Sequence, residues 1–350
     1  MHLPYNNKLP VRCLAACFNN TSTTYKYYWL LSILQSVENG QINIPKIHLF
    51  ARMLSNAWYT VNYFHVSFGK QDHIQTAIKW IHENEKIAID EKSNIVFERL
   101  SNTRNKNTVD LLWHFDGNVP HWFLSPWFPR MKRADIYKNS QSFSQNSLYS
   151  LHKDSLTIHP EWIGYLTDNS KLLKDYCYWN LALFLQSKNP NVPDIPNKLI
   201  KPAIRNSLAH QRKYFWDIVF RELGNIKCIY TGSNLTINEY AVEHFIPYNF
   251  VSHDLIWNLI PADKSFNSTK SDKLPSLEKY FEAFFDLQKQ AIDIISTKNP
   301  SSKFLEEYIT IFPDINSLSY SDVSKNKEQF RNTIQPLITI ASNNGFEFLQ

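Results

Sequence analysis

The chain has 350 residues, 43% hydrophobic and 15% aromatic, with 37 Lys and Arg against 32 Asp and Glu and a formal charge of +5. Such composition excludes a disordered chain, and the length allows one large or two to three small domains with a sizeable core. Cys13, Cys17, Cys177 and Cys228 form no regular framework, which excludes a secreted disulfide scaffold. The start, MHLPYNNKLP, has no leader pattern and no apolar run is long enough to span a membrane, so a soluble cytoplasmic protein is expected. The mild positive excess permits a polyanionic partner without demanding one.

In NNTSTTYKYYWLLSILQSV (19–37) a Ser/Thr cluster supplies N-cap candidates, and the apolar run after it predicts a buried helix. In the next segment Pro45 stands at a first helical position. Phe50, Met53, Leu54, Ala57, Trp58 and Val61 recur there at spacings of three and four, a second helix. One or two more helices are expected between 70 and 100. Residues 110–130, DLLWHFDGNVPHWFLSPWFPR, carry three Trp and three Pro and predict an ordered aromatic loop. Arg130, Lys132 and Arg133 beside it have the composition of a single-stranded nucleic-acid surface, although a packing loop next to a solvated charged face is the simpler account.

Four prolines in QSKNPNVPDIPNKLIKP (186–202) predict an extended linker and a domain boundary. Beyond it, AIRNSLAHQRKYFWDIVFREL reads as a basic amphipathic helix, and KCIYTG as a strand ending in a turn at Thr231 and Gly232. Over 201–230, Lys201, Arg205, Arg212, Lys213, Arg221 and Lys227 face only Asp217 and Glu222. Arg212 and Lys213 are therefore candidate nucleic-acid contacts. Leu277, Phe281, Phe284, Ala291, Ile292 and Ile295 share one helical face, and helix continues to the C-terminus with a break near Pro313. The fold class expected is α+β, mostly helical.

The chemistry concentrates in VEHFIPYNFVSHDLIWNLIPADKSFNSTKSDKLPS (242–276). Hydrolysing a phosphodiester needs a base for the attacking water and positive charge near the phosphate. His244 is neutral near pH 7 and can be the base. Glu243 and Asn267 offer the hard oxygen ligands that Mg²⁺ or Mn²⁺ prefers, leaving other positions to water and phosphate. Neighbours on a strand point to opposite faces, so Glu243 and His244 share a site only if the chain bends there. A short helix from about 262 to 271 would set Asn267 and Lys270 on one side.

This arrangement resembles the HNH nuclease superfamily with its ββα-metal fold, in particular the HNH domain of RNA-guided CRISPR effector nucleases. The likeness runs over about 226–276, with CIYTG as first strand and turn, VEHFIP as second strand, WNL around the middle Asn and FNSTKSDKLPS as the closing helix. It implies that Glu243 and Asn267 ligate the metal, His244 is the general base, Asn258 pins the loop and orients the base, and Lys270 contacts phosphate. Glu243 stands where close relatives have Asp, and Asn267 where many members have His, an H-N-N variant. Cys228 lacks the paired C-x2-C motifs that staple many HNH hairpins, so no structural zinc is expected.

The organisation expected is a helical N-terminal domain over 1–190, recognising a target or partner, an HNH module over 200–276 embedded among helices, and a helical region over 277–350 packing on it. The opening helices are similar to N-terminal regions of freestanding bacterial HNH proteins of the restriction and phage-defence type. That likeness implies a helical domain that recognises something. The leading reading of the whole chain is a Mg²⁺-dependent endonuclease acting on DNA in a restriction or defence setting, with a protein partner and no membrane. Two other readings stay open: a nucleic-acid or partner-binding protein with an unused site, and a toxin-like RNA nuclease. His253 with Asp254 reads as a solvated loop pair, and His114, His121 and His210 as structural.

Overall fold

Thr24 opens the first long helix, Tyr25–Glu38, but its hydroxyl does not cap that helix. Instead the Thr24 N–H and hydroxyl both donate to Asp72, at 2.6 and 2.7 Å, and Asp72 accepts from Ile74 N–H at 3.0 Å to cap the helix His73–Glu85. One carboxylate thus ties two helix starts together. The computed structural model describes residues 3–200, 207–312 and 323–350. By its internal contacts the chain divides into two units, one of residues 1–190 and 195–201, the other of 191–194 and 202–350.

Helices dominate both units, and the small sheets make the whole a mostly helical α+β protein. In the first unit Tyr25–Glu38 is buried on nearly every side, as its unbroken apolar run requires, and it packs on Lys46–Asn62. Pro45 caps that second helix rather than entering it, and also closes strand β1 (Asn43–Pro45). Strands β2 (Tyr149–Leu151) and β3 (Ser155–Ile158) complete an antiparallel sheet in the order β1-β3-β2.

The aromatic stretch differs from the loop expected for it. Residues 106–113 are helical, a 3₁₀ turn covers His114–Gly117, and Pro120 starts a helical turn to Phe123. Phe115, Phe123, Trp127 and Phe128 are buried, so packing rather than proline content decides the local geometry. The proline-rich stretch is also less extended than expected. Lys198 is fully buried in a 3₁₀ turn and its carbonyl accepts from the Thr60 hydroxyl at 2.9 Å. Lys201, Arg205 and Pro313 lie outside the described residues.

In the second unit the basic helix runs over 209–223 with one π-helical turn at Arg212–Trp216. Strand β4 (Ile226–Lys227) turns back on β5 (Asn234–Leu235), with Gly232 at φ +71° supplying the left-handed residue of that turn. Strand β6 (Ala241–His244) pairs antiparallel with β7 (Leu259–Ala262), which leads into the helix Lys264–Lys270. CIYTG and VEHFIP therefore belong to two separate hairpins rather than pairing with each other. Behind β6 and β7 lies the long helix Leu277–Lys298, its buried face carrying Phe281, Phe284, Ala291, Ile292 and Ile295. The ring of Phe284 stacks on Phe245 at 3.8 Å, anchoring the chain just past β6.

Candidate functional site

VEHFIP is an edge of a two-stranded hairpin followed by a wide loop. Glu243 faces Ile260 and His244 faces Leu259 in the ladder, and the pleat sends their side chains to opposite sides. The structure gives each side its own partner rather than bending the strand to merge them.

On one side lies the loop 245–258, closed by Asn258. This fully buried amide accepts from Ile246 N–H and donates to Ile246 C=O, both at 2.8 Å, while Phe245 N–H donates to the Asn258 carbonyl at 2.7 Å. Gln288 of the long helix holds the other end, donating to the Leu259 carbonyl at 2.8 Å and the Ile256 carbonyl at 3.3 Å. Glu307 accepts from Ile256 N–H, and burial raises its carboxyl pKa. Every backbone group pinned this way removes a freedom from the loop.

Within the loop, Tyr248–Val251 makes one helical turn and Ser252 reverses it at φ +59°. That reversal brings Asp254 back to His244, whose Nε2 lies 2.9 Å from Asp254 Oδ1. A carboxylate can only accept, so in a pair with ionised Asp254 the shared proton lies on Nε2. His244 is 3% exposed. Any imidazolium formed there would lean on Asp254 rather than on solvent.

Asp254 is the residue that the sequence reading undervalued. The structure separates it from His253, whose ring lies 5.2 Å from Trp257. The only signal was an acid ten residues after the histidine on a loop that returns to it.

On the other side, Glu243 meets the helix Lys264–Lys270. Lys270 Nζ donates to Glu243 Oε1 at 3.0 Å and to the His244 carbonyl at 2.8 Å. Lys270 was expected at a phosphate, but its side chain is 0% exposed and spent on β6. Burial lowers its ammonium pKa, with Glu243 opposing that shift. Tyr230 stacks on Phe266 at 4.8 Å, and its buried hydroxyl finds no hydrogen-bond partner among the described residues. Burial and then the Glu243 charge hold its phenol pKa well above the ordinary value.

Asn267 lies one helical turn before Lys270, on the same side of the helix. Asp263 caps that helix, accepting from Ser265 N–H at 2.8 Å and Phe266 N–H at 3.4 Å. Among the described residues no three His, Cys, Asp or Glu side chains converge as a metal site. The oxygen donors of Glu243 and Asn267 are nevertheless of the hard kind that a divalent cation such as Mg²⁺ takes.

Arg212 does not present a free guanidinium. It donates to the carbonyls of Tyr240 at 2.8 Å and Ile237 at 3.0 Å and lies over the Tyr240 ring, fixing the chain that enters β6. Lys213 remains exposed. Among the described residues no helix is long and apolar enough to cross a membrane.

No solved structure matches the chain. A family model described as HNH endonuclease (HNH_4) matches residues 228–276, the stretch from Cys228 through β7 and the Asn267 helix to Ser276. The hairpin, loop and helix that hold His244, Asp254, Glu243 and Asn267 thus lie in a segment similar to HNH endonucleases.

Proposed function

We propose that the protein is a metal-dependent HNH endonuclease that hydrolyses phosphodiester bonds in DNA. One observation carries the reading: an Asp-oriented histidine stands next to a carboxylate inside the segment similar to HNH endonucleases. In this reading β6, β7 and the helix Lys264–Lys270 are the ββα module. Residues 200–276 form the nuclease domain, 277–350 brace it, and 1–190 recognise a target or partner.

His244 takes the proton of the attacking water, and Asp254 orients the ring and stabilises the charge it gains. Asn258 acts through the loop it closes, holding Asp254 and His244 in register. Glu243 and Asn267 would hold Mg²⁺ or Mn²⁺, which when bound neutralises charge on the phosphate. Lys270 fixes the Glu243 carboxylate and the His244 carbonyl together. The resemblance to CRISPR-effector HNH domains and to freestanding bacterial nucleases supports a cytoplasmic restriction or phage-defence setting with a partner protein.

Plasmid DNA with Mg²⁺ tests the reading, with EDTA and His244→Ala as controls. Nicking by the wild type alone is expected, and equal nicking by the variant would remove His244 from the mechanism. Parallel digests of duplex DNA, single-stranded DNA and structured RNA decide the substrate. The internal Lys270–Glu243 pair favours a second reading, in which the segment binds nucleic acid with its metal site unused. Binding without nicking in either Mg²⁺ or Mn²⁺ would select it.

A further inference from the structure

The first unit holds a cavity of about 460 Å³ bordered by Asp116, Arg133, Ala134, Tyr137 and Lys153. Beneath it Lys46 is fully buried, its Nζ donating to Asp116 Oδ1 at 2.7 Å, the Tyr137 hydroxyl at 2.8 Å and the Lys153 carbonyl at 2.9 Å. The other Asp116 oxygen accepts from Arg133 Nη2 at 2.6 Å. Both oxygens of the one carboxylate at the cavity are therefore committed to cations, and three positive side chains stand against it.

The geometry sets Arg133 in place before any ligand arrives. Asp116 holds one end of its guanidinium and the Tyr137 ring lies 5.5 Å below, while the side chain remains 49% exposed. A guanidinium has five N–H donors in a fixed fork, so most are left for a partner. Lys153 is exposed at the rim, and among the described residues its ammonium enters no ion pair. His121 reports the local field: burial first, then Arg133, push its pKa down to about 4 against the opposing pull of Asp116. The ring stays neutral at pH 7. Trp122, next to it in the chain, is 51% exposed and offers an aromatic face on the same turn.

We propose that this cavity binds a phosphate group through Arg133 and Lys153, either a phosphodiester of a nucleic-acid strand or the phosphate of a free nucleotide. A preorganised guanidinium beside a mobile ammonium matches a tetrahedral anion, the fork giving direction and the lysine charge. The site is independent of the nuclease reading, because it requires no cleavage and shares no residue with His244, Glu243 or Asn267.

The full chain in EDTA, where a metal-dependent nuclease is silent, is titrated into fluorescently labelled single-stranded and duplex DNA across a salt series. Lys153→Ala, which removes only an exposed side chain, and Arg133→Gln should each weaken binding several-fold. Each should also lower the salt slope by about 0.7 on single strands or about 0.9 on duplex. Lys171→Ala, on the helix Ser170–Lys188 away from the cavity lining, removes the same charge and should change neither. Competition by a nucleoside monophosphate, weakened by the same two variants, identifies a free phosphate as ligand. Loss of DNA binding without such competition identifies the strand. Unchanged affinity and slope in both cavity variants, or an equal loss in Lys171→Ala, overturns the proposal. His244→Ala, which tests cleavage, should leave this binding intact, so the two readings fail separately.

Discussion

Lys270→Met removes the ammonium shared by Glu243 and the His244 carbonyl while keeping most of the side-chain length and volume. Lys270 is 0% exposed and the Glu243 side chain 11% exposed, which places the pair with buried ion pairs rather than surface ones. A surface pair is worth at most about 1 kcal/mol, whereas removing one partner of a buried pair costs about 3–5 kcal/mol because the other charge stays buried. The residual exposure of Glu243 lets it take up a water or a proton, so the lower end, about 3 kcal/mol, is expected. At about 2–4 °C per kcal/mol for a unit of this size, the melting temperature should fall by about 6–12 °C. Urea unfolding should show a lower midpoint with an unchanged slope. Glu243→Leu in the same background should recover most of the loss, because the orphaned charge goes with it. If Glu243 is a metal ligand, Mg²⁺ should stabilise Lys270→Met more than the wild type, the cation replacing the missing ammonium. A single variant within about 1 kcal/mol of the wild type would refute the pairing on which this reasoning rests.

Asn258→Ala removes the side-chain partner of both the N–H and the C=O of Ile246 and should cost about 2–6 kcal/mol in denaturant unfolding, since each orphaned group costs about 1–3 kcal/mol. Asp254→Asn should reduce cleavage about 10- to 100-fold and move the basic group in the pH–rate profile, while near-wild-type melting shows that the fold is kept. Tyr230→Phe deletes a hydroxyl that has no partner among the described residues, so thermal melting should stay level or rise, and a clear fall would show that the hydroxyl is bonded. Hydrogen bonds led by the Ser265 hydroxyl hold the Asp263 carboxyl below its ordinary 3.8, so its helix cap is intact above that value and is lost as pH falls through the depressed one. Amide exchange across 264–270 should therefore lose protection on acidification, and Asp263→Ala should abolish that dependence.

What was legible in the sequence is what local chemistry decides. The buried helices announced themselves through apolar spacing, as at Phe281, Phe284 and Ile292, because a helix can bury only what its period places on one face. The helix bearing Asn267 was legible as a short element over about 262–271, whereas its cap, Asp263, was not singled out. Strand pairing was not, since a short apolar run such as CIYTG does not state its partner, and β6 took β7 instead. Lys270 was misread for a related reason: its spacing from Asn267 gives the face of the helix, but not whether that face meets solvent or Glu243. Arg212 likewise counts as a basic residue in composition while the fold spends it on two carbonyls.

The pleat that seemed to argue against a shared site gives the proposed chemistry a direction. In-line attack on a phosphodiester needs the water and the leaving oxygen on opposite sides of phosphorus. His244 leaves β6 toward the loop, where Asp254 holds it, and Glu243 leaves toward the helix, where Lys270 and Asn267 lie. A base on one side of the strand and oxygen donors on the other therefore suit a phosphate approaching the end of β6, where the ladder stops at His244. Two residues on the same face would place base and charge together. Adjacent positions on a strand separate them, and the separate bracing of each side, by Asn258 and Gln288 for the loop and by Lys270 for the helix, is what keeps that separation fixed.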